Sequence, residues 1–148
     1  MSKTSFNLLL ADDDPDDCFF FMKALEELPY TISLTTVNDG EQLMKLLTTI
    51  RGPLPDTLFL DLNMPRKSGF ECLSEIKEDE KLKSMPVIIY STSLDHAVAE
   101  ILYQKGAHSY IRKPGVFVKV KEVIQKALII IAQKDLAERS REDFIIKV

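Results

Sequence analysis

Short apolar or β-branched runs alternate along this chain with longer segments whose apolar residues recur at helical spacing. Residues 6–11 (FNLLLA) form the first run and end against a cluster of acids. Pro15 stands where a helix can begin, with Asp14 as its N-cap, and the helical pattern reaches about Leu28. Residues 32–37 (ISLTTV) are β-branched and predict a second strand. After Asn38, Asp39 and Gly40, the residues Leu43, Leu46, Leu47 and Ile50 keep helical spacing. A turn at 51–55 (RGPLP) leads into a third strand at 57–60 (TLFL), which ends at Asp61. Ser68 and Glu71 form a capping box ahead of a helix whose apolar positions are Phe70, Leu73 and Ile76. Pro86 precedes a fourth strand at 87–90 (VIIY), and residues 95–105 read as a helix closed by Gly106. A short fifth strand covers 109–111, and a long helical segment starts near Phe117.

Strand and helix thus alternate five times, which predicts an α/β fold with a parallel sheet covered on both faces. Right-handed crossovers leave few topologies, and the five-stranded flavodoxin-like order 2-1-3-4-5 fits best. There is no internal repeat and no low-complexity segment. The 148 residues suit one domain, expected over 1–132, with 133–148 as a C-terminal extension rather than a second domain.

Composition narrows the function classes. The net charge is -4 and nothing suggests a basic face, so no nucleic-acid partner is expected. Cys18 and Cys72 are far apart and form no CxxC pair, as in the thiols of a reducing compartment. The longest apolar run, 127–132 (ALIIIA), is too short to span a bilayer, and the first residues lack the features of a signal peptide. The expectation is a cytoplasmic domain with no membrane partner.

In open α/β sheets, ligands bind beyond the carboxyl ends of the strands. There the chain places Asp12, Asp13 and Asp14 after the first strand and Asp61, Leu62 and Asn63 after the third. Ser91 and Thr92 follow the fourth, and Arg112, Lys113 and Pro114 the fifth. Taken singly, each has a bland reading: a solvated helix start, loop-capping hydroxyls, a surface lysine. Only Asp61, behind an apolar strand, demands partners of its own. Together, carboxylates converging on one edge repel each other, and a hard divalent cation such as Mg²⁺ relieves that repulsion. Lys113 adds a cation able to pair with a carboxylate or a phosphoryl oxygen.

The acidic run LLLADDDPDD, the block LFLDLNMPRKSG, the strand end VIIYSTS and the sequence YIRKP together resemble the receiver domain of two-component response regulators. The resemblance runs from Phe6 to about Leu128. It implies that Asp61 accepts a phosphoryl group and that Asp12 and Asp13 hold Mg²⁺, with Mn²⁺ able to replace it. It implies further that the Asn63 backbone carbonyl completes the metal site, that Ser91 and Lys113 meet the phosphoryl group, and that Tyr110 is an aromatic switch turning inward as the hydroxyl moves. The expected partner is a sensor histidine kinase or a phosphotransfer protein, with no turnover of a separate substrate.

Three features depart from the commonest receiver pattern. Ser91 stands where threonine is usual, Gly115 follows Lys113-Pro114 where a bulkier residue is frequent, and some 18 residues follow the expected last helix. That tail is too short for an output domain, so the chain reads as a stand-alone receiver; similar ones partner phytochrome-type kinases. The run at 127–132 looks apolar all round, and with Val118, Ile129 and residues 144–146 it suggests either that the extension folds back on the core or that the last helix and extension form a homodimer or kinase-docking surface. Three other functions compete. An aspartyl-phosphate hydrolase of the haloacid dehalogenase type would carry an acid where Asn63 stands. A flavin protein would not crowd six Asp side chains about an anionic cofactor. A degenerate receiver, acting as a phosphorylation-independent interaction module, tends to have lost one of the acids or the lysine.

Overall fold

A computed structural model describes residues 3–133 and 140–147. The part of the expected extension at 134–139 and 148, and the first two residues, lie outside the described ones. Strands and helices alternate as β1 Ser5–Ala11, α1 Pro15–Glu26, β2 Thr31–Val37, α2 Gly40–Thr49, β3 Thr57–Leu60, α3 Gly69–Glu78, β4 Val87–Ser91, α4 His96–Gln104, β5 Ser109–Arg112 and α5 Phe117–Ala132. The sheet order is β2-β1-β3-β4-β5 and every neighbouring pair is parallel. The doubly wound order expected from the alternation is therefore present.

Local chemistry explains the element ends. The Asp14 side chain accepts from the Asp16 and Asp17 amides and opens α1 ahead of Pro15. Ser68 and Glu71 form the capping box of α3. Gly106 adopts φ +96 after α4, a conformation that favours glycine. α1 stops at Glu26, two residues short of the periodic pattern. The Glu27 and Leu28 amides bond to the carbonyls of Ala24 and Leu25, a tightened last turn that satisfies acceptors an α-helix would leave open.

The strands alternate between two cores, which is why they read as unbroken apolar runs. Leu9, Leu58, Leu60, Val87, Ile89 and Tyr110 face α2, α3 and α4. Leu8, Leu10, Phe59, Ile88, Tyr90 and Ile111 face α1 and α5. The stretch 127–132 is less open than its composition suggests. Ala127, Leu128 and Ile131 are buried and only Ile129 is exposed, because one face of α5 lies on the sheet and Ile130 meets the tail.

The described part of the extension folds back along the outer edge of β5. The Tyr110 amide donates to the Phe144 carbonyl and the Ile146 amide to the Tyr110 carbonyl, each at 2.9 Å, giving a parallel bridge between Tyr110 and Ile145. Phe144 is 3% exposed and joins the α2–α4 side, its ring 5.4 Å from that of Tyr103; Ile146 joins the α1–α5 side. Arg141 reaches Glu100 at 2.9 Å, and Lys126 donates to the Lys147 carbonyl at 2.7 Å. Of the two readings the sequence leaves open for Phe144 and Ile146, a docking surface or folding back on the core, the second holds, and both residues are largely spent within the chain.

Candidate functional site

The parallel register brings Asp12, Asp61 and Lys113 together one residue past β1, β3 and β5, beside Ser91 at the end of β4. The Asp12 amide donates to the Val37 carbonyl and the Asp61 amide to the Ala11 carbonyl, so both acids leave the sheet side by side. The Lys113 amide donates to the Ser91 carbonyl at 2.7 Å, joining the ends of β4 and β5. Gly69, at the start of α3, sits so close behind Asp61 that a β-carbon there would lie 2.3 Å from the Asp61 carbonyl oxygen. Glycine is therefore required for α3 to pack beneath the site.

Carboxylate oxygens of Asp12, Asp13 and Asp61 all lie within 4.8 Å of one another. Asp12 is fully buried, Asp61 is nearly so and Asp13 is exposed. Opposite them stands the buried Lys113 ammonium, 2.7 Å from Asp12 Oδ2, 2.9 Å from Asp17 Oδ2 and 3.7 Å from Asp61 Oδ2. It also lies 5.5 Å from the centre of the Tyr90 ring. Asn63 is exposed, and its backbone amide bonds toward the Asp61 carboxylate.

Burial sets the electrostatics. Loss of water pushes the Asp61 carboxyl up to about 6, against the pull of Lys113. Burial also raises Asp12, although Lys113 and the Asp14 amide both favour its charged form. Burial alone would lower Lys113, but its donation to Asp17 and its pairing with the Asp12 carboxylate outweigh it and hold the ammonium firmly protonated. One ammonium thus faces four carboxylates. The excess negative charge, presented by three hard oxygen donors with one side open to solvent, suits a divalent cation that keeps several waters.

Beyond the acids, Ser91 is fully buried, and its Oγ has no hydrogen-bond partner among the described residues. Tyr110 lies inside, 1% exposed, and its hydroxyl donates a short hydrogen bond to the Ser93 carbonyl in the loop after β4. Of the residues singled out in sequence, Asp12, Asp13, Asp61 and Lys113 form one cluster, while Ser91 ends β4 and Tyr110 lies within β5, paired with Ile89. Asp17 escaped the sequence reading. It counted only as one acid of a charged helix start, yet as the third residue of α1 it turns toward the strand ends. A cleft of about 570 Å³ beside β5, lined among others by Lys113, Arg112, Lys119, Ile145 and Ile146, contains none of these acids.

The doubly wound parallel sheet thus gathers clustered carboxylates and one buried lysine at its strand ends. The profile of the response regulator receiver domain family matches residues 8–125, and the chain belongs to that family. It is 31% identical over 124 residues to the probable methanogenesis regulatory protein FilR2 of Methanothrix harundinacea, covering 82% of this chain and 80% of that protein. It is 30% identical over 110 residues to response regulator Rcp1 of Synechocystis, covering 72% and 75%. Against longer relatives it spans about half, as with the probable C4-dicarboxylate response regulator DctR of Bacillus subtilis (54% of its length). Among solved structures, the phosphorylated cyanobacterial phytochrome response regulator RcpA is 29% identical with a TM-score of 0.75, over 92% of this chain and 99% of that one. The Mn²⁺-bound form of Rcp1 shares the fold at 24% identity and a TM-score of 0.77, over 91% and 99%. None of the helices among the described residues is long and apolar enough to cross a membrane.

Proposed function

We propose that this receiver accepts a phosphoryl group on Asp61 from a phosphohistidine of a sensor histidine kinase or phosphotransfer protein, in a Mg²⁺-dependent reaction, and thereby switches a protein-binding surface. The observation that carries this reading is the cluster of Asp12, Asp13 and Asp61 around the buried Lys113 ammonium. An Asp61 oxygen attacks phosphorus, the N–P bond breaks, and the imidazole leaves with the bonding pair. Asp12, Asp13, Asp61 and the Asn63 carbonyl would hold the cation, which would neutralise charge on the transferring oxygens. Lys113 meets one of those oxygens from the other side. The relative RcpA, crystallised phosphorylated, supports phosphorylation on this scaffold.

The signal leaves through β4 and β5. A dianionic group beside Ser91 offers its unpartnered hydroxyl a strong acceptor, and the loop carrying Ser93 moves with it. Tyr110 is tied to that loop through its own hydroxyl and to the tail through its backbone. The α4–β5–α5 face, with Ile101, Val118 and Ile129 exposed, is where we place the kinase-responsive or homodimeric contact of the last helix and extension. Turnover of a separate substrate is not part of this reading, and the chemistry belongs to the cytoplasm, where histidine kinases present their phosphohistidine.

Intact mass after incubation with acetyl phosphate tests the reading. A single phosphoryl adduct that needs Mg²⁺ and disappears in Asp61→Asn is expected. No adduct under any condition overturns it in favour of a phosphorylation-independent interaction module. Sedimentation with and without beryllofluoride tests the dimer; a monomer at high micromolar concentration in both states removes it.

A further inference from the structure

We propose that Asp17 is a positioning residue for Lys113, one leg of a tripod that aims the ammonium at the phosphoryl group; this rests on the phosphoacceptor reading of Asp61. An ammonium has three donors and no acceptor. Here the ammonium donates to Asp17 Oδ2 at 2.9 Å and pairs in charge with Asp12 Oδ2 at 2.7 Å, while Asp61 Oδ2 stands farther off at 3.7 Å. The third donor is left to the side where a group on Asp61 would arrive. The stem of Lys113 is long and its head is a point charge, so one partner alone does not fix a direction. Two carboxylates from different elements do, since Asp12 follows β1 and Asp17 lies in the first turn of α1.

Without Asp17, Asp61 becomes the natural second partner. The ammonium then falls into a direct pair with Asp61, and the carboxylate that must attack phosphorus is engaged by the group meant for the phosphoryl oxygen. Asp16, the neighbouring acid of the same turn, provides an internal comparison. It is exposed, while Asp17 is half-buried, and it makes no contact with Lys113.

Two measurements on the full chain test this. The first is the Lys113 ammonium resonance in metal-free, ¹⁵N-lysine-labelled protein, assigned by its loss in Lys113→Arg. The second is the rate of adduct formation from acetyl phosphate across a Mg²⁺ series. Asp17→Ala is expected to lose the protected ammonium signal and to slow phosphorylation about ten-fold at saturating Mg²⁺, the scale of a misplaced group in a pre-organised site. The half-saturating Mg²⁺ concentration should stay within about two-fold, because Asp17 touches the lysine and none of Asp13 and Asp61. Asp17→Asn keeps a neutral acceptor and should fall between, charge-assisted bonds being about twice as strong as neutral ones. Asp16→Ala should match the parent in both readouts. An Asp17→Ala protein with an unchanged ammonium signal and an unchanged rate overturns the proposal. So does equal slowing by Asp16→Ala, which would assign the effect to the charge of the helix start. If the parent protein forms no adduct, the phosphoacceptor reading fails instead, and the ammonium signal still reports whether Asp17 holds Lys113.

Discussion

The strand-end cluster and the outer edge of β5 are held by opposite means. At the strand ends, Asp12, Asp17, Asp61 and Lys113 bring charge out of water, and the price is visible in the raised carboxyls of Asp12 and Asp61. At the β5 edge, Phe144 and Ile146 bury apolar surface, and two backbone hydrogen bonds close what would be an open strand. The first region gives up stability for chemistry. The second returns stability without taking part in the chemistry. Substitutions in the two regions should therefore have opposite signs in unfolding and adduct assays.

The largest expected effect lies at the edge. Phe144→Ala leaves a cavity between Tyr103 and Tyr110 and should lower unfolding stability by about 3 kcal/mol, read as a lower urea midpoint. The protein should still form its Mg²⁺-dependent adduct, since Phe144 touches none of the acids; loss of the adduct along with the stability would break the comparison. Next, Gly69→Ala drives a β-carbon against the Asp61 carbonyl and should cost about 2 kcal/mol. Because the strain falls on the site's own backbone, it should also weaken Mg²⁺ binding, measurable by calorimetry.

Asp61→Asn should act in the other direction. The Asp61 carboxyl titrates near 6 in the fold against an ordinary 3.8. The folded chain therefore binds its proton more tightly than the unfolded chain, and this group's contribution to stability falls as pH rises from about 4 to 6. In the presence of EDTA, Asp61→Asn should be more stable than the parent above pH 6, by on the order of 1 kcal/mol once solvent screening at this open site is allowed for. The advantage should vanish below pH 4, where both side chains are neutral, and Mg²⁺ should narrow it by stabilising only the parent. A parent more stable than Asp61→Asn at pH 7.5 without metal would overturn the reading of the cluster as costly. The smallest effect belongs to Arg141→Ala. Its pair with Glu100 is exposed and should contribute no more than about 0.5 kcal/mol, less at high salt.

Most of the fold was legible from periodicity and punctuation. Asp14-Pro15, Ser68 with Glu71, and Gly106 act within a few residues of themselves, so their meaning does not depend on the rest of the chain. The strand ends were legible for a related reason: once β and α alternate, topology alone carries Asp12, Asp61, Ser91 and Lys113 to one edge. Asp17 was not legible as a partner, because five acids in a run of six look alike in sequence. Which of them meets Lys113 depends on the phase of α1 and on a lysine 96 residues away.

The tail marks the same boundary from the other side. Residues 144–146 advertise apolar surface, but a string of apolar residues does not say whether it is buried by its own chain or by another. Here the free edge of β5 decides, because it offers Tyr110's backbone groups and a gap beside Tyr103 within reach of the returning chain. Local chemistry thus prescribed the elements, their order and the edge on which the charged groups gather. Packing alone assigned Asp17 to Lys113 and the tail to β5, since both contacts join residues that the chain keeps far apart until the sheet has formed.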